Sequence, residues 1–281
     1  MVFKKLGLAI TFSPNAKALL KTAKRLQELF SAQLCLIHVG DKNKSTEAQL
    51  FSLLDDVGID ENKYEMVWQN GDPSKVIIDT CSAKGVDLLI AGALEKESML
   101  KYYIGSVART IMREAECSVL ILTKPTEEQK PFQEFFVLVE YSEVGENAVR
   151  KAYQFALLEN AKELGLIKEI QTPGLAITIS DGSSTQETEK RRTDWQYEEE
   201  LKLRVFAKEM KLGNINLKTV CLYGKQGWES SNYVKQNGGE IFVVPSPTKK
   251  LKLFDRIFQH DLEFIIKQIP CALLIIKEKY N

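Results

Sequence analysis

Gly92, Glu95, Gly105, Ser106 and Val107 occupy one stretch, flanked by the apolar runs Val86–Ala91 and Val119–Leu122. The order is apolar run, glycine, polar loop, Gly-Ser-Val, helical segment, apolar run. That is the grammar of a phosphate-binding turn in a parallel sheet. Glycine lets backbone N–H groups approach a phosphate and takes positive φ without strain. The helix start adds a partial positive charge, and the Ser106 hydroxyl can donate a hydrogen bond. Glu95 opposes this chemistry, because it places a carboxylate near where phosphates would sit. Two such charges about 4–6 Å apart, partly buried, repel by about one to a few kcal/mol, or about tenfold or more in affinity. A divalent cation bridging Glu95 and phosphate would reverse the sign, but no ligand cluster accompanies it.

The elements that position these residues follow from the pattern of the first half. Leu6–Ile10, Leu34–Val39, Tyr64–Trp68, Val86–Ala91 and Val119–Leu122 read as strands. Their apolar runs lack polar alternation, which implies burial on both faces and hence a parallel sheet. Helical segments separate them. Ser13 is placed to cap the first, and apolar residues from Ala18 to Phe30 recur at roughly helical period. Further helices are expected from about Thr46 to Val57, from Pro73, where the missing N–H costs little, and near Ile104–Ala115.

The second half repeats the first. Phe135–Val139 matches Leu6–Ile10, and Cys271-Ala-Leu-Leu-Ile-Ile matches Cys117-Ser-Val-Leu-Ile-Leu. The first match is offset by 129 residues and the second by 154, so extra residues must lie between them. Leu166–Gly174 and the polar run Asp181–Asp194 are the candidate places, the latter as a solvated loop leading into a long helix, Trp195–Met210. Lys124–Pro131, charged and with a proline near each end, reads as the linker. In the second half Glu140 ends the first strand, Pro245 falls where the first glycine belongs, and Gln259-His260 falls near where Gly105-Ser106 should be. Proline removes a backbone donor, so no equivalent phosphate turn is expected there.

With His38-Val39 closing the second strand and Gly71-Asp72-Pro73 before the third helix, the chain resembles a tandem universal stress protein, two copies of the domain fused, over nearly its whole length. The resemblance implies two flavodoxin-like α/β domains of the adenine nucleotide alpha hydrolase-like type, residues 1–125 and 131–281. Each is a five-stranded parallel sheet with helices on both faces. It implies ATP or another adenine nucleotide, with Mg, as the ligand of the first domain. Thr11 then stands where the family has a nucleotide-contacting Asp, the Val39 backbone meets adenine, and Gly92, Glu95, Gly105, Ser106 and Val107 form the phosphate loop. It also implies a cytoplasmic stress-response role without efficient catalysis. A scaffold acting through protein contacts and a slow ATP hydrolase are the alternatives. Paired domains of the family associate through their last strands, here Val119–Leu122 and Leu273–Ile276, which makes the chain an intramolecular pseudo-dimer and leaves a homodimer open.

Composition narrows the partners. Lys+Arg and Asp+Glu are both 38 in 281 residues, so nothing points to nucleic acid. No run reaches the apolar length of a membrane span. The cysteines, Cys35, Cys81, Cys117, Cys221 and Cys271, are odd in number and widely spaced, the pattern of reduced packing thiols rather than disulfides or a zinc site. With two histidines, no nucleophile elbow and no P-loop, no catalytic constellation is visible. Trp195, Tyr197 and Trp228 are expected to cover the core or a seam between the halves.

Overall fold

The computed structural model describes residues 2–93, 105–170, 185–246 and 264–277. Five unalternated apolar runs in the first half become β1 (Lys5–Ala9), β2 (Gln33–Val39), β3 (Tyr64–Gln69), β4 (Leu88–Gly92) and β5 (Ser118–Leu122). Between them run α1 (Ala16–Phe30), α2 (Lys44–Val57), α3 (Pro73–Lys84) and α4 (Ser106–Glu114). The second half supplies β6 (Glu134–Leu138), α5 (Glu143–Glu159), β7 (Glu163–Ile170), α6 (Thr185–Glu209), β8 (Asn216–Tyr223), α7 (Trp228–Gln236), β9 (Ile241–Ser246) and β10 (Ala272–Lys277). All ten strands lie in one sheet, in the order β3-β2-β1-β4-β5-β10-β9-β6-β7-β8. Each half contributes five parallel strands in the same internal order. The halves meet where β5 and β10 pair antiparallel, Leu274 opposite Leu120. Buried side chains on the two faces of the sheet form two separate core clusters, as a sheet covered on both faces requires.

Several local expectations are corrected. Ser13 does not cap α1. The N-cap is Asn15, whose side chain makes no capping bond, and the Ser13 carbonyl accepts from Ala16 N–H instead. Asn43 caps α2 in a reciprocal box with Thr46. The polar run to Asp194 is not all loop: from Thr185 onward it is helical. Glu, Gln, Lys and Arg are good helix formers without needing an apolar face. Leu166–Ile170 belongs to β7. The extra length falls between strands: 45 residues separate β7 from β8, where 24 separate β2 from β3.

The seam between the halves is also tied on both faces. On one, the Phe30 and Phe155 rings meet edge-on at 4.9 Å. Beside them the Arg25 guanidinium of α1 grips both Glu159 carboxylate oxygens of α5 at 2.8 and 2.7 Å. On the other, Lys277 at the end of β10 donates to the carbonyls of Arg113 (3.2 Å) and Ala115, placing a cation at the C-terminus of α4. Burial pushes the Lys277 amine down to about 8.

Burial pushes the Glu159 carboxyl above its usual range, and Arg25 offsets this only in part. The folded chain thus holds this proton more tightly than the unfolded chain. The stability the group contributes is complete below the unfolded carboxylate range and is lost as pH rises through the folded value. Glu159→Gln, permanently neutral, should therefore match wild type near about pH 4 and become the more stable of the two toward about pH 7. A Tm difference that stays flat across this window would contradict it.

Candidate functional site

In a parallel sheet of this kind ligands sit beyond the carboxyl ends of the strands, where the strand order reverses. In the first half that point lies between β1 and β4. Ala9 is level with Ile37 of β2, Leu8 is level with Ile90 of β4, and Ile10 N–H continues the ladder to the Ile37 carbonyl at 2.9 Å. Advancing that register puts Thr11, Val39 and the Gly92-Ala93 junction in one row, about 4.8 Å per strand. The helix after β4 must return antiparallel to the strands, so the N-terminus of α4 faces the same edge. Gly105 is its N-cap and Ser106 its first residue, with no side-chain capping bond and no acid in the first turn. Ser106 is exposed and Gly105 buried. The first-turn N–H groups and the dipole of α4 are thus without a competing carboxylate among the described residues of that turn.

The individual residues divide in role. Gly92 has a packing reason for lacking a side chain: a β-carbon there would come within 2.9 Å of Leu19 Cδ1 on α1. Gly105 has φ −58°, so it needs no left-handed conformation. Val107 packs against the core beneath α4. Thr11 is exposed at the mouth of the edge. Glu95 lies outside the described residues, as does the rest of the loop from 94 to 104, and so do Gln259 and His260 in the second half.

Sequence reasoning missed the aromatic stack that holds this edge. His38 is buried, with Nδ1 3.0 Å from the Ile10 carbonyl. A carbonyl only accepts, so Nδ1 carries the proton. The Phe12 and Trp68 ring centroids lie 4.8 and 4.6 Å from that of His38, while Trp68 Nε1 donates to the Gly40 carbonyl at 2.7 Å. His38 is therefore a strut for the loop after β1, the packed strand-end role its isolation in sequence suggests. Next to that loop is a cleft of about 300 Å³, between Phe12, Ser13 and Lys17 on one side and Leu53 and Asp56 of α2 on the other. Its volume is at the low end for a small-molecule pocket.

The second half builds its edge differently. Val139 N–H donates to the Ile167 carbonyl at 2.7 Å, the counterpart of Ile10 and Ile37. Lys168 takes the place of His38, its ammonium 3.2 Å from the Val139 carbonyl and 4.7 Å from the Tyr141 ring. Val137 pairs with Val243 as Leu8 pairs with Ile90, which puts Pro245 in the register of Gly92. Glu169, in the register of Val39, turns its carboxylate to the start of α7, accepting from Gly227 N–H and Ser230 N–H at 2.6 Å each. The positions that could meet a ligand in the first half thus serve the fold in the second.

Among the described residues no group of three or more His, Cys, Asp or Glu could hold a metal ion, and no helix is long and apolar enough to cross a membrane. All five cysteines are free thiols, four of them buried.

Residues 42–123 match the model of the universal stress protein family; Thr11 and Val39 precede that stretch. A universal stress protein of Methanocaldococcus jannaschii is 33% identical over 58 residues, which is 21% of this chain and 34% of the relative. The chain therefore spans about a third of that curated relative. Two solved structures share the architecture along the chain. One, from Archaeoglobus fulgidus, is a universal stress protein with 14% identity, 98% coverage of each chain and a TM-score of 0.68. The other, from Pseudomonas aeruginosa, is assigned to the same family, with 17% identity, 98% of this chain and 93% of its own covered, and a TM-score of 0.68. At these identities the likeness establishes the fold, an α/β sheet flanked by helices.

Proposed function

We propose that the chain is a tandem universal stress protein whose first half binds an adenine nucleotide weakly and does not turn it over efficiently, in a stress-response role. The observation that carries this is the N-terminus of α4. It is uncapped by any side chain, carries an exposed Ser106 hydroxyl, and opens on the edge where Val39 ends β2 and Thr11 follows β1. The phosphates would meet the first-turn N–H groups of α4 and Ser106, and the base would lie toward Val39 and the cleft beside Phe12. Magnesium, where present, would rest on phosphate oxygens and water, its usual mode when protein ligands are few. The aromatic stack holds the loop after β1 in place: His38 is buried, and its Nδ1–H donates to the Ile10 carbonyl. The second half, with Pro245 and Glu169 at the matching positions, acts as the structural partner of the first.

Calorimetric titration of the whole chain with ATP and Mg²⁺, beside Glu95→Gly, tests this. Wild type should bind weakly, and removing the carboxylate should tighten binding by about tenfold or more. Binding by neither protein would overturn the nucleotide reading and leave a scaffold of the same fold. Phosphate release that disappears in Ser106→Ala would favour slow hydrolysis instead.

A further inference from the structure

The outer face of α6 carries an apolar ridge that nothing among the described residues covers. Tyr197, Leu201 and Val205, spaced four residues apart, are 66%, 49% and 48% exposed, whereas Leu203, Phe206 and Ala207 on the opposite side of the helix are buried. The ridge follows the row along which helices most often interlock, crossing at about −50°. A groove lined by Tyr141, Leu201, Val205 and Phe206 runs beside it.

The charges flanking the ridge indicate what covers it. One flank carries Glu198 and Lys202, the other Glu200 and Arg204, all four exposed. Each flank thus reads acid, then base four residues later. A two-fold axis at Leu201 lays the helix antiparallel on its own copy and turns each flank against itself reversed. Glu198 then lies about 3 Å along the axis from Lys202 of the second copy, and Glu200 about 3 Å from Arg204 of the second copy, each pair occurring twice. Lys202 and Glu200 also approach their own copies, once each, so attractive pairs outnumber repulsive ones. A parallel alignment would instead set like charges level with one another. Lys202 already holds Glu199 of its own helix at 2.5 Å, but an ammonium has three N–H groups and two remain for the second copy. The acids on both flanks also disfavour an anionic lipid surface, which selects basic flanks.

We infer that the exposed face of α6 is a self-association surface, on which two copies of this chain pair antiparallel about Leu201. This does not depend on nucleotide binding and leaves the β5–β10 seam intact. One helix pair buries less than the roughly 1,200 Å² of a stable complex, so the dimer exchanges with monomer in the micromolar range or weaker.

Sedimentation velocity on the full chain, from about 1 to about 200 µM, brackets that range. Wild type should shift from 31.9 kDa toward twice that mass as concentration rises. Leu201→Glu, which sets two carboxylates across the axis, should remain monomeric. Arg204→Glu should weaken the dimer about tenfold, and Glu200→Arg with Arg204→Glu, which restores the acid–base order in reverse, should recover it to within about threefold. Unchanged circular dichroism and Tm in each variant keep a folding defect from imitating the result. Wild type that stays monomeric throughout, whether or not the chain covers its own ridge, overturns the inference. So does a dimer indifferent to Leu201→Glu, or a double charge swap that fails to rescue.

Discussion

Arg25→Ala should cost about 3–5 kcal/mol of stability at neutral pH, because it strands a buried carboxylate. The Glu159 side chain is 1% exposed, against 19% for Arg25, so water cannot take over the role of the guanidinium. Arg25 also stacks on Phe132 with its Cζ 5.1 Å from the ring centroid, and that packing goes with it. Burial already raises the Glu159 carboxyl in wild type, and removing the opposing charge raises it further. In the variant the group gains a proton at a higher pH than in wild type, so the deficit should shrink as pH falls from neutral toward the usual carboxylate range and level off once both proteins hold the proton. Chemical denaturation of both proteins at two pH values measures this. A loss below about 1 kcal/mol, or a deficit independent of pH, would show that the seam is held by its aromatic contacts and the ion pair adds nothing.

Glu169→Ala should cost a similar amount, about 3–5 kcal/mol, for a different reason: it orphans two backbone donors at once. The N-cap of α7 is Gly227, with φ 74° and no side chain to contribute. Glu169 reaches from β7 to supply the missing acceptor, both of its oxygens used. The first half needs no such reach, since Asp72 caps α3 locally through Lys75 N–H. Glu169→Gln keeps one good acceptor oxygen and should lose about half as much. Hydrogen exchange would localise the effect, with residues 227–231 losing protection before the sheet does. Uniform loss across the second half would instead mean that Glu169 supports β7 and β8 rather than the helix start.

The strands were legible because burial on both faces leaves apolar runs with nothing to confuse them. Leu34–Val39 and Val119–Leu122 appear in the sheet within a residue or two of where their composition puts them. The repeat was legible for the same reason, and the fold's family-like order follows from it. What escaped were features set by tertiary partners. Nothing local marks Glu169 as the cap of a helix 58 residues on, or Arg25 as the partner of a glutamate in the other half. Tyr197 and Trp228 resemble core residues by type, yet they are 66% and 44% exposed. Their environment depends on which face of α6 and α7 meets the sheet. Ser13 lost the cap to Asn15 because the Pro14 turn starts the helix later than the serine signal suggests. Thr11, Val39 and Gly92 are marked by their places at the ends of apolar runs, but the Phe12–His38–Trp68 stack that fixes that edge comes from three different strand ends and has no spacing to read.

The antiparallel pairing of β5 with β10 has a consequence for life in a mixture. Strand edges of this kind are promiscuous in principle, since the backbone that pairs them is the same in every related chain. Here the two halves are tethered by residues 123–133, between β5 and β6, and a short tether presents each half to the other at an effective concentration of about millimolar. A free single-domain relative at ordinary cellular levels would have to displace a neighbour that never leaves. A chain that carries both halves is therefore closed to exchange at its centre. Its composition, one half with a candidate pocket and one half without, is inherited as a fixed one-to-one ratio rather than set by expression.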